Sequence, residues 1–321
     1  MESVVHISIN VKEGEGVELK DQYKIGYYFP VFILADSDGE VIYRWTGYVG
    51  KAPFITSLNR GLGDLTTVKE RMARFEKKPT YPDAVFLAQY MKDAGQYREA
   101  IDYYRKAGDL GIAGRSAFAY EIFENTVNAV WRELIPFEEI FPAADAVLDS
   151  PRKITSNVIK VAQLVSRVAR KFDRTDHLAK YLNAGIDLTA NSTNEKMSDI
   201  HTILVADYTM YVDGDTAGAV QMKKASLGDG WQSNPDKFYD YAKWCQERKI
   251  MLDEAEHYAR QAADRAYVGE FKGKVLNTLA EIYYEKGNND EAIKTIQLAI
   301  EQDPEYEFYE DQLKKFRGET E

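Results

Sequence analysis

The 321-residue sequence predicts a mostly α-helical chain. The expected architecture is an α-α solenoid of about six helix pairs over residues 65–321, preceded by a short α/β segment at residues 1–64. Three observations predict it. Leu276 to Pro304 carries two facing apolar stripes at helical spacing. The same residue types recur at two other places. Before residue 64 the helical period gives way to short apolar runs broken by Gly, Pro and Asp.

In the C-terminal stretch Leu276, Leu279, Ala280 and Tyr283 form one stripe and Gly287 closes that helix; Ala292, Ile296 and Ala299 form the facing stripe before Pro304 stops the second. Small alanines allow two antiparallel helices to approach closely. This unit resembles the tetratricopeptide repeat (TPR) family at almost every characteristic position, including the terminal proline. Ala84 to Ala107 repeats the pattern with Leu87, Ala88, Met91, Gly95, Ala100, Tyr104 and Ala107, without the proline. Phe238 to Ala262 repeats it with Phe238, Tyr241, Ala242, Cys245, Ala255, Ala259 and Ala262, its turn one residue longer. One helix pair cannot bury a core alone, so the resemblance implies neighbours stacked on either side.

At the start of the chain, Val4, Val5, Ile7, Ile9 and Val11 predict a first strand, and 17–25 a short helix. Two further strands are expected at 31–35 and 40–45, joined by the turn Asp36-Ser37-Asp38-Gly39. A helix from Pro53 to Leu62, stopped by Gly61 and Gly63, closes the segment. This order, with Tyr23-Lys24-Ile25, Phe29-Pro30, Asp38-Gly39 and Arg44-Trp45-Thr46-Gly47-Tyr48, resembles the C-terminal part of a thioredoxin-like domain. The resemblance implies a cis peptide bond at Phe29-Pro30. The family's first half, with its Cys-x-x-Cys, has no counterpart here, and thiol chemistry needs a thiolate. Three readings follow: Met1 lies inside a longer protein, which is favoured; two chains form a homodimer that completes the sheet; or the strands pair differently.

From Leu65 the helical period holds to the end. Leu65, Val68, Met72 and Phe75 predict a connecting helix. Further pairs are expected as 116–134 with 137–148, 154–171 with 176–189, and 195–211 with 216–227; Pro142 predicts a bend in 137–148. The separation of Ala88 and Ala280 is not a whole multiple of the family's period of about 34 residues, so repeat lengths vary. Tyr306, Tyr309, Leu313 and Phe316 suit a terminal cap whose outer face is acidic.

The formal net charge of −11, without clustered Lys and Arg, argues against a nucleic-acid or anionic-membrane binder. No apolar run reaches membrane-spanning length, and MESVVHISIN lacks the parts of a signal peptide. The expectation is a soluble cytoplasmic protein, or a periplasmic or secreted one if upstream sequence is missing. The single cysteine, Cys245, excludes an internal disulfide and sits on an apolar stripe, where a buried small residue is expected. His6, His177, His201 and His257 lack metal-ligand spacing. Asp36 to Gly39 has its glycine too early for a calcium loop, and Gly61-Leu62-Gly63 lacks the strand and Lys-Ser or Lys-Thr of a phosphate loop. Asn191-Ser192-Thr193 matches a glycosylation acceptor, a triplet common by chance.

No catalytic, cofactor-binding or metal-binding set emerges. In TPR proteins the first helices of successive pairs line a groove for an extended peptide or partner helix. Carried onto this chain, the resemblance implies partner contacts at Gln89, Lys92, Tyr239, Lys243, Asn277, Glu281 and Tyr284. The mixed charges do not reproduce the Lys/Asn clamp with which some relatives hold a C-terminal carboxylate. The expected function is a non-catalytic protein-protein interaction scaffold of bacterial type. The alternative is a truncated thiol-disulfide oxidoreductase or redox chaperone whose Cys-x-x-Cys half lies upstream of Met1.

Overall fold

Short apolar runs punctuated by turn residues fold first into a small α/β segment, seen in a computed structural model that describes residues 4–26, 29–151 and 153–319. Helix α1 spans Glu15–Gln22, strand β1 Val31–Ala35, strand β2 Val41–Thr46 and helix α2 Lys51–Leu62. The two strands pair antiparallel, Phe32 opposite Trp45, with an irregularity between Leu34 and Ala35. Their turn is fixed by Asp36, whose Oδ1 accepts from the backbone of Asp38 at 3.0 Å and of Glu40 at 2.9 Å. The Phe29–Pro30 peptide bond is cis.

The expected first strand does not form. Residues 4–10 have no regular structure, and Val5 and Ile7 stand 85% and 72% exposed. Alternation of apolar and polar residues makes a strand only where a neighbouring strand takes up the backbone groups, and among the described residues the sheet has two strands. Gly61 also departs from expectation. It lies inside α2, where an added Cβ would stand 2.9 Å from Leu34 Cδ2 and Tyr43 Cβ, so its role is close approach of helix to hairpin.

The chain divides into two compact units at Val161/Ala162. In the first, α3 (Val68–Lys77), α4 (Tyr81–Asp93), α5 (Tyr97–Leu110), α6 (Ala119–Trp131) and α7 (Ile140–Leu148) follow the α/β segment, and α8 (Thr155–Lys171) begins. Thr67 and Glu70 form a reciprocal cap on α3, and Thr80 caps α4, whose first turn holds Pro82. Helices α4 and α5 pair, as do α6 and α7, and β2 packs on α3 and α4. Tyr43 and Phe86 rings lie 6.2 Å apart, with the Arg71 guanidinium 4.1 Å from the Phe86 centroid. Pro142 does not bend α7. A 3-10 turn at Phe137–Glu139 precedes the helix, which places the proline in the first turn, where an N–H would lack a partner anyway.

In the second unit the rest of α8 is followed by α9 (Ala179–Thr189), α10 (Glu195–Tyr211), α11 (Thr216–Ser226), α12 (Pro235–Gln246), α13 (Leu252–Arg265), α14 (Glu270–Glu285), α15 (Asn289–Gln302) and α16 (Phe308–Arg317). Pairs form as α10 with α11, α12 with α13 and α14 with α15; α13 touches α14 and α15 touches α16. A Cβ added at Gly185 of α9 would stand 2.7 Å from Ala162 Cβ and 2.8 Å from Leu204 Cδ1, so α9 lies closely against both α8 and α10. Ala242, Ala255, Ala259, Ala280, Ala292 and Ala299 are wholly buried where the paired helices meet. Tyr309, Leu313 and Phe316 close the core from α16.

The repeat shows most plainly in its turns. Five first helices of pairs end with one residue at positive φ, followed by a backbone N–H returning to a carbonyl five residues earlier. Those bonds are Gln96 to Met91 at 2.8 Å, Leu134 to Ala129 at 2.9 Å, Arg174 to Ala169 at 2.9 Å, Ile250 to Cys245 at 3.1 Å and Asn288 to Tyr283 at 2.8 Å. The positive-φ residue is glycine in two, Gly95 and Gly287; elsewhere it is Glu133, Asp173 or Lys249. Left-handed backbone strains any residue with a Cβ, so Glu133→Gly or Asp173→Gly is expected to stabilise the chain by about 0.5–1 kcal/mol, net of glycine's entropy. Urea unfolding of each variant checks this; a loss of stability would show that the side chain contributes more than the backbone strain removes.

Candidate functional site

Helix pairing consumes the alanine-lined faces and leaves polar side chains on the first helices. Helices α12 and α14 touch, and five of the seven residues picked out in the sequence stand on them. Tyr239, Asn277, Glu281 and Tyr284 are half-buried and Lys243 is exposed. The Tyr239 ring meets Phe271 edge-on at 5.5 Å, and Lys243 Nζ lies 5.8 Å from the Tyr239 centroid. Tyr284 is held against Phe316 of α16 at 4.9 Å, with Lys315 Nζ 5.1 Å from its centroid. Lys315, which the sequence reading missed, therefore joins the same face, and Gln312, also missed, stands on the same helix with its Oε1 buried. Their signal was present: each precedes by one position a residue of the stripe that packs α16 inward.

The other two, Gln89 and Lys92, stand on α4 in the first unit. Gln89 donates to Asp93 at 2.9 Å and accepts from the Tyr104 hydroxyl at 3.3 Å. Lys92 pairs with Glu124 of α6. Both side chains are thus engaged within their own unit, and Lys92 ties one first helix to the next.

Glu281 has the most distinctive electrostatics. Burial pushes its carboxyl up to about 7 from an ordinary value of 4.5; Lys315 and Lys243 favour its charge, and Glu247 and Glu285 oppose it. The sign follows. The folded chain keeps this proton where the unfolded chain has lost it, so stability falls as pH rises from about 4.5 through about 7. Thermal melts across that window are expected to show a smaller decline for Glu281→Gln than for the parent chain. An unchanged slope would reject the assignment.

Elsewhere the polar chemistry is structural. Asp207 of α10 accepts from Arg248 Nε at 2.8 Å, from Arg170 Nη1 at 2.8 Å and from Ser166 Oγ at 2.6 Å, which ties α8, α10 and the turn after α12 together. Glu254 of α13 accepts from Lys224 of α11 at 2.7 Å and from the Tyr241 hydroxyl of α12 at 2.8 Å. Cys245 is buried, and burial pushes its thiol up to about 11, away from a reactive thiolate. An apolar hollow of about 410 Å³ lies between Tyr81, Leu110, Ile112 and Phe118 and gathers no acid, base or nucleophile. Among the described residues no group of three His, Cys, Asp or Glu could hold a metal ion, and no helix is long and apolar enough to cross a membrane.

The family described as Tetratricopeptide repeat matches residues 273–306, the span of α14, its turn and α15. No match is found among curated proteins. A crystal structure of a tetratricopeptide repeat protein from Parabacteroides merdae is similar at TM-score 0.49 and 11% identity, over 78% of this chain and 91% of that one. The P58(IPK) TPR domain is similar at TM-score 0.29 and 13% identity, over 78% of this chain and 68% of that one.

Proposed function

We propose that the chain is a non-catalytic protein-protein interaction scaffold, and that an extended peptide segment of its partner lies across α12 and α14 against Tyr239, Lys243, Asn277, Glu281 and Tyr284. The observation that carries this reading is the division of labour on the helices. The alanine faces are wholly consumed in pairing, while rigid rings with polar tips and alternating charges remain on two first helices that touch. Gln89 and Lys92 of α4 form a separate contact within the first unit, where a partner has to compete with their bonds to Asp93, Tyr104 and Glu124. Residues 65–321 carry the function, and residues 1–64, a catalytically empty thioredoxin-like remnant, support α3 and α4. Residues 1–64 contain no cysteine.

A random peptide library displayed on phage, selected against the full chain, tests the proposal. Recovered peptides are expected to bind Tyr239→Ala and Tyr284→Ala about tenfold more weakly than the parent, because buried aromatic anchors carry a large share of such binding energy. Failure to recover any binding peptide, or binding indifferent to both substitutions, would remove the reading.

A further inference from the structure

On this face Glu281 is the acid left without its own cation. Glu247 has Arg248 at 3.7 Å and Glu285 has Lys249 at 3.7 Å. The two nearby lysines lie over rings, Lys243 over Tyr239 and Lys315 over Tyr284 and Phe316. Among the described residues no donor lies within hydrogen-bond reach of the Glu281 carboxylate. One turn earlier on the same face of α14, Asn277 Oδ1 is buried and accepts nothing. On α16, Gln312 Oε1 is buried and accepts nothing. Helix α16 runs alongside α14, with Tyr309 against Gly273 and Phe316 against Tyr284, which sets Gln312 near the level of Asn277. This end of the groove therefore gathers acceptors that lack donors, and a buried acceptor left unmade costs roughly 1–3 kcal/mol.

We infer that Glu281 is the anchor for a cationic side chain, a lysine ammonium or arginine guanidinium, on the peptide that occupies this face. The inference rests on the docking reading above. Both groups bring several N–H donors and the missing charge to the Glu281 carboxylate. The protonation of Glu281 then governs occupancy. Its carboxyl, at about 7, is charged only in the upper part of the neutral range. The charged groups that face it are Lys243 from α12, Glu247 from the turn after it, Glu285 from α14 itself and Lys315 from α16. Asp253, Glu256 and Arg260 of α13 and Glu291 of α15 serve Lys286 and Tyr283 instead. A partner with this basic residue docks more tightly as pH rises through that range.

The library selection is run on the full chain at about pH 8, and each recovered peptide is resynthesised with every Lys or Arg replaced in turn by norleucine. At one position the replacement is expected to weaken binding to the parent chain by about tenfold, the scale of one charge-assisted hydrogen bond. The same replacement is expected to cost under about twofold against Glu281→Gln, and under about twofold against the parent chain at about pH 5.5, where the carboxyl is neutral. The pH arm needs no variant, so it stands even if Glu281→Gln folds poorly. Peptides that bind without a basic position, or whose basic position matters equally in Glu281→Gln and at both pH values, overturn the anchor and leave the docking face intact. Recovery of no binding peptide overturns both.

Discussion

Asp207→Ala is expected to lower unfolding stability by about 3–5 kcal/mol, the cost of breaking a buried ion pair from one side. Asp207 is 2% exposed and is the carboxylate on which two arginines converge. Arg248 reaches it with both Nε and Nη2, at 2.8 and 2.6 Å, while Arg170 and Ser166 share its other oxygen. Burial, together with the charge of Arg248, already pulls the Arg170 guanidinium below its ordinary range. Taking the carboxylate away leaves two cations facing each other in a site with little water. The same field meets Tyr211, whose phenol burial pushes up to about 12.

Three comparisons separate charge from shape. Asp207→Asn keeps the volume and one acceptor, so its loss is expected to fall between those of the parent and Asp207→Ala. Replacing Arg170, Asp207 and Arg248 together by methionine, leucine and methionine removes every charge at once and is expected to recover most of the stability. Urea unfolding with slopes compared across the variants measures all three. A loss under about 1 kcal/mol for Asp207→Ala would mean that water reaches the arginines and that the network does not hold α8, α10 and the turn after α12 together.

What the sequence disclosed and what it hid follow from the reach of local patterns. The pairs α4–α5, α12–α13 and α14–α15 were legible because alanine marks the close approach and, in two of them, glycine marks the turn. Between α10 and α11 Gly214 again stands at positive φ; the pairs α6–α7 and α8–α9, expected from their apolar stripes alone, carry no such punctuation. Their turns use the same left-handed geometry, but with Glu133 and Asp173 where Gly95 and Gly287 stand, and a side chain there leaves no mark in a pattern of glycines. The Ser166–Arg170–Asp207–Arg248 network was out of reach for another reason. Ser166 and Arg170 lie on α8, Asp207 on α10 and Arg248 in the turn after α12, and no periodicity reports which arginine meets which aspartate. At the start of the chain, the alternation at Val5, Ile7 and Ile9 is a pattern a strand would show, but pattern is only half of a strand. On the candidate face, helical spacing put Tyr239, Lys243, Asn277, Glu281 and Tyr284 on two first helices, and α12 and α14 touch. Gln312 and Lys315 of α16 were passed over although the stripe marks their positions, since a closing helix was read only for the residues it buries.

Phe238→Ala is expected to cost about 3–5 kcal/mol, the range for removing a large ring from a site that cannot collapse around the loss. Phe238 is fully buried on the first turn of α12. Its ring meets Tyr258 at 5.3 Å and Trp231 at 6.5 Å, and the Arg265 guanidinium lies 5.2 Å from its centroid. Trp231, Tyr241 and Tyr258 are themselves packed ring to ring, so none of them can move into the space without giving up another contact. In an array stabilised by nearest-neighbour contacts the damage stays close to its source. Hydrogen exchange is therefore expected to show the amides of α12 and α13 losing more protection than those of α4 and α5. Peptide binding reports the same event, because Tyr239 and Lys243 ride on α12 immediately beyond the substituted position. Affinity for peptides selected on the parent chain is expected to fall in Phe238→Ala although no groove side chain has changed, and cooling is expected to restore part of it as α12 reforms. Uniform loss of protection over the whole chain would show that the helix pairs unfold as one cooperative body. Unchanged protection in α12 would show that the aromatic cluster does not hold the helix that carries the proposed contacts.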